Sequence, residues 1–125
     1  MEESKEINQV IDVLMMAGTL LLESGSEIHR VEDTMIRIAH SQGITDCNAL
    51  AMPVAIFFSI ENANITRMKR ILRTNYNIEK VCDVNQISRQ LVSGQIHLEE
   101  AYQALLHLKS KPVPYTNLQL TLAAT

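Results

Sequence analysis

The stretch Ser24-Gly25-Ser26-Glu27-Ile28-His29-Arg30-Val31-Glu32-Asp33 places two hydroxyls, an imidazole, a guanidinium and three carboxylates within ten residues. Three chemistries use those residue types. Ser26, His29 and Asp33 contain a nucleophile, a base and an orienting acid, the set needed for ester or amide hydrolysis. His29 and Asp33 sit four apart, on adjacent helical turns, and with Glu32 would offer ligands to a metal ion. Arg30 has the donor fork that recognises a carboxylate, and Glu32 can hold either Arg30 or a ligand ammonium.

Each chemistry competes with a plainer role. His29, Asp33 and Arg37 recur at four-residue spacing, which also describes a solvated ion-pair row of small energetic weight. A nucleophile elbow needs glycines on both sides of its serine on a strand-to-helix turn, whereas Ser26 follows a helix and is accounted for as a cap. Too few metal ligands share one face, and His40 lies turns away. No catalytic residue, metal site or cofactor is therefore assigned, and a hydrolase using the Ser26/His29/Asp33 region or a non-catalytic partner-binding module stays as the alternative reading. The residues carried forward are Ser24, Gly25, Arg30, Glu32 and Asp33, as a binding site or as a structural Arg30–Glu32 pair at a helix junction.

The elements that must position them follow from periodicity. A first helix over 6–24 has Val10, Ile11, Leu14, Gly18, Leu21 and Leu22 on one buried face. Its interior Gly18 costs about 1 kcal/mol against alanine and predicts a second backbone packed closely there. Gly25 closes this helix, and Ser26 is the expected N-cap of a second over 27–42 that buries Ile28, Val31, Met35, Ile38 and Ala39, with Glu32 at the rim. Past Gly43 the period falls to two. A short strand over 47–52 is followed by Pro53, and Val54, Ile56, Phe58 and Ile60 alternate as an inward face. Asn62-Ala63-Asn64 is turn chemistry, and 65–72 returns as a third strand. Arg67, Lys69, Arg70 and Arg73 make that return basic, to protect a sheet edge or to face anionic lipid headgroups.

Asn77 caps a third helix with an apolar stripe of Ile78, Val81, Val84, Ile87 and Leu91, closed by Gly94. A fourth begins near His97, carries Glu99 and Glu100 in its first turn, and buries Leu98, Ala101, Leu105 and Leu108. The fold class is α+β: two helices, a small antiparallel sheet of two or three strands, then two more helices. One domain is expected over 1–110, and the prolines beyond Lys109 mark 111–125 as a linker.

The 125 residues, 46% of them apolar, suffice for one core without disulfides. A net charge of −3 with mixed signs, three Tyr and two Phe argues against nucleic acid as a partner. Cys47 and Cys82 match no zinc or redox spacing and are expected as reduced, partly buried thiols in a reducing compartment. The acidic start Met-Glu-Glu-Ser-Lys-Glu is unlike a secretory signal, and no apolar run is long enough to cross a bilayer.

The run from Leu21 to Met35, a small-residue–glycine turn followed by Arg30-Val31-Glu32, resembles the threonine/serine exporter family. Ala51-Met52-Pro53-Val54, Ser59, Arg70, Asn77-Ile78-Glu79-Lys80-Val81, Gly94 and Glu99-Glu100-Ala101 continue the resemblance in the family's order. The family usually has a hydroxyl residue where His97 stands. The resemblance implies a cytoplasmic N-terminal domain of a cell-membrane exporter of amino acids or small dicarboxylates, with 111–125 leading toward a first membrane helix. It implies as partner a membrane-spanning part of the same chain or a small membrane subunit, leaves self-association open, and singles out Arg30 and Glu32, with Ser24, Gly25 and Asp33 around them.

Overall fold

The computed structural model describes residues 2–110. Four helices and one sheet follow in the order α1 (Glu2–Glu23), α2 (Ile28–Ser41), β1 (Cys47–Met52), β2 (Ala55–Ile60), β3 (Ile65–Arg70), α3 (Ile78–Val92) and α4 (Leu98–Ser110). This is the α+β arrangement that the periodicities predict, with a three-stranded sheet. The region 111–125 lies outside the described residues.

Helix α1 is the hub. It packs on α2, α3, α4 and the central strand β2. The one-faced burial expected from its spacing is exceeded: Val10, Ile11, Val13, Leu14, Ala17, Leu20, Leu21 and Leu22 are all buried, which leaves one flank, Asp12, Met15, Met16 and Thr19, exposed or partly exposed. The cause is in the sequence, where only Asp12 and Thr19 interrupt that span with polar atoms. A helix with so wide an apolar face must be covered by more than one element.

The sheet is an antiparallel meander, β1-β2-β3. Its inner face carries Ala51, Ile56, Phe58 and Ile60 into the core, and β2 touches α1 directly. On the outer face Leu50, Phe57 and Met68 form one cross-strand row. Val54, expected inward, is instead exposed in the two-residue turn that joins Met52 to its partner Ala55. Ile28 and Ile78 are also more exposed than their stripes predict, because each is the first residue of its helix and extends beyond the layer that covers the later turns.

Gly18 marks a close approach, but of side chains rather than backbone. A Cβ there would lie 2.8 Å from Met35 Sδ and 3.3 Å from Ile56 Cδ1. The α1–α2 and α1–β2 contacts therefore converge on one missing methyl group. Asn77 caps α3 as expected, its Oδ1 accepting from Lys80 N at 3.1 Å. At α4 the missing hydroxyl of His97 is offset by Glu100, whose Oε1 accepts from the His97 N–H at 3.0 Å, the backward half of a capping box.

Both cysteines are free. Cys82 is exposed on α3, not partly buried, because its position points away from the Val84–Leu91 stripe. Cys47 is half-buried, and burial followed by the neighbouring Asp46 charge pushes its thiol up from the ordinary value.

Two outcomes follow. Gly18→Val should lower stability by about 1–3 kcal/mol in urea unfolding, since Met35 and Ile56 are fully enclosed and must move. A raised thiol pKa leaves less thiolate at a given pH, so iodoacetamide at pH 8 should label Cys82 well before Cys47, with Cys47 catching up as pH rises.

Candidate functional site

The junction of α1 and α2 is closed by backbone. Gly25 has φ +92°, its N–H donates to Leu22 O at 3.2 Å, and the Ser26 N–H donates to Leu21 O at 2.9 Å. This left-handed closure is the one expected of Gly25. Ser26, however, belongs to the end of α1 and does not cap α2. The N-cap position is Glu27, with no side-chain cap bond. The segment before α3 crosses the same junction: Asn75 N donates to Glu23 O at 2.8 Å and Asn77 N to Ser24 O at 3.1 Å. Tyr76 lies over Gly25 so closely that a Cβ would sit 2.3 Å from its ring. Ser24, in the centre of these contacts, is buried.

Glu32 does not pair with Arg30. Its Oε2 accepts from the Ala51 N–H at 2.9 Å. Ala51 lies on β1, an edge strand, so the carboxylate satisfies a main-chain donor that β2 leaves unpaired and binds α2 to the sheet. The Arg30–Glu32 pair fails because residues two apart face different sides of a helix.

Arg30 and Asp33 point away from the sheet. With His29, Arg37, Ser88 and Arg89 they line an open groove of about 550 Å³ between α2 and α3. Asp33 Oδ2 pairs with Arg37 Nε at 2.9 Å, completing one step of the expected row, whereas His29 Nδ1 turns to Glu27 at 3.3 Å. Among the described residues, Arg30 and Arg89 have no ion pair or side-chain hydrogen bond. The groove thus has an unmatched guanidinium on each wall.

The five residues singled out by sequence therefore divide among three places: Ser24 and Gly25 at the junction, Glu32 against β1, and Arg30 with Asp33 in the groove. No hydrogen bond links Ser26, His29 and Asp33 into a relay, and no group of three metal-ligating side chains converges among the described residues. Arg89 and Ser88 were not singled out. Their only signal was a polar flank on an otherwise amphipathic helix, which does not reveal what it faces.

Removing the carboxylate in Glu32→Ala should cost about 1–3 kcal/mol in unfolding free energy, because the Ala51 N–H loses its acceptor. Glu32→Gln, which keeps an oxygen, should cost less, and Arg30→Gln should leave the melt within about 0.5 kcal/mol of the parent. Equal losses for Arg30→Gln and Glu32→Ala in thermal unfolding would restore the pair that the geometry separates.

A family model described as "Putative threonine/serine exporter" matches residues 12–125. A protein of Mycobacterium tuberculosis described as "Probable threonine/serine exporter" is 21% identical over 111 residues, covering 86% of this chain and 21% of that protein. The chain thus spans about a fifth of the length of that curated relative. No solved structure matches it. With the junction, the Arg30-Val31-Glu32 helix, the sheet and both C-terminal helices all inside the family match, the chain belongs to the threonine/serine exporter family.

Proposed function

We propose that this chain is the cytoplasmic N-terminal domain of a threonine/serine exporter-like membrane protein, and that it supports or regulates export of small amino acids or dicarboxylates. No helix among the described residues is long and apolar enough to cross a membrane. In this reading the pathway is supplied by a membrane-spanning part, in the same chain or in a small separate subunit. The domain acts by recognition rather than by bond chemistry.

The observation that carries the reading is the groove. Arg30 and Arg89 face it from two helices without counter-ions, while Asp33 is held by Arg37. A carboxylate entering between them gains charge-assisted hydrogen bonds from two forks, and α2 and α3 are held in register when it does. Small amino acids and dicarboxylates both carry that group. The groove is open to solvent, which suits sensing of an abundant solute better than tight capture.

In the exporter that contains this chain, Arg30→Gln combined with Arg89→Gln should lower efflux of the exported solute about tenfold or more, consistent with loss of charged hydrogen bonds. The isolated chain should keep its melting temperature, since both side chains are exposed. Unchanged efflux in the double variant would remove the groove from the function.

A further inference from the structure

Another face of the domain is cationic. The C-terminal end of α1, the end of β3 and the start of α3 enclose a cavity of about 320 Å³. Lys69, Arg70, Arg73 and Lys80 line it with Glu23 as the only acid, in a chain whose formal charge is −3. None of the four cations has an ion pair or side-chain hydrogen bond among the described residues. The positive end of the α3 dipole adds to the same field.

Two polar side chains more than nine-tenths buried also line the cavity. Ser24 is 5% exposed and its hydroxyl has no hydrogen-bond partner among the described residues; Asn77 is 8% exposed, and only its Oδ1 is used, in the α3 cap. No fully hidden side-chain nitrogen or oxygen among the described residues lacks a partner, so the Ser24 hydroxyl and the Asn77 amide group keep their opening onto solvent, at the cavity they line. They offer neutral donors in a cavity that four cationic residues also line.

Leu72 lines the cavity too, and Tyr76 and Ile78 flank its lining residues Asn75 and Asn77 along the chain. Among the described residues these three are the most exposed large hydrophobic residues, each about four-fifths accessible (80%, 79% and 81%). A site for a free anion has no use for them. A bilayer surface does: it presents phosphate groups beside an interfacial zone that takes up aliphatic and tyrosine side chains. The cationic face is also continuous with the end of α4, since Lys109 lines an adjoining cavity together with Glu23, Arg67 and Lys69.

We infer that this face docks on an anionic membrane, with Lys69, Arg70, Arg73 and Lys80 around a lipid phosphate and Leu72, Tyr76 and Ile78 inserted beside it. The inference is independent of the Arg30–Arg89 groove, which lies between α2 and α3 and shares no lining residue with this cavity.

The 125-residue chain should co-sediment with phosphatidylcholine vesicles containing phosphatidylglycerol, and this binding should weaken steeply with salt. Arg70→Gln with Arg73→Gln should reduce vesicle affinity on the order of thirtyfold. Leu72→Ser with Tyr76→Ser should reduce it as well, while preserving the salt dependence. Residues 111–125 are common to every variant, so any membrane affinity of their own cancels in the comparison. Equal binding to neutral and anionic vesicles, or parental binding by both variants, would overturn the inference. So would binding of soluble glycerol phosphate without vesicle binding, which would make the cavity a small-anion site.

Discussion

A single helix buried over most of its circumference dictates the architecture. Between Val10 and Leu22, α1 buries apolar side chains over most of its circumference, and each large one is worth about 1.5–3 kcal/mol only when removed from water. No single partner can cover such a helix. α2, α3, α4 and β2 each take a sector, and the close contact at Gly18 lets α2 and the sheet approach at the same level. The rest of the chain is the cover for this helix, which explains why four helices and three short strands form one unit.

Covering a helix with a three-stranded sheet leaves two sheet edges to be managed. At β1 the answer is the Glu32 carboxylate, which takes the Ala51 N–H and makes α2 a lid on the edge. At β3 it is Arg67, which turns inward to Asn8 at 2.8 Å and Asp12 at 3.4 Å on α1. A charge placed on the inward face of an edge strand discourages pairing with another chain. It also gives a partner to Asp12, one of only two polar residues in the buried span of α1. One member of the basic cluster on the return strand is thus structural, and Lys69, Arg70 and Arg73 are left without ion-pair partners among the described residues.

A similar division applies to Arg30 and Glu32 on α2. Sequence proximity made Arg30 and Glu32 look like a pair, yet one serves the sheet edge and the other an open groove. A helix separates neighbouring residues by about 100° per position, so a dense charged run delivers its members to different surroundings. Here those surroundings are the sheet on one side and α3 on the other. In the function proposed above, carboxylate recognition falls to two arginines contributed by different helices, Arg30 and Arg89, because Asp33 is already held by Arg37.

The sequence by itself determined the element order, the α+β class, the closures at Gly25, Gly43 and Gly94, the Asn77 cap and most of the core, because these follow from periods of 3.6 and 2 and from local backbone chemistry. It also carried the family, whose match runs over residues 12–125. It placed Ser26, Val54, Ile28 and Ile78 wrongly by small margins, all at element ends, where periodicity no longer says which neighbour continues the layer. Only the tertiary structure decided how many elements cover α1, that Gly18 meets Met35 and Ile56, that Glu32 bonds a strand nineteen residues away, and that Arg89 faces Arg30. Those are contacts between elements distant in sequence. Their partners are chosen by how the layers stack, and no spacing within a single element records that choice.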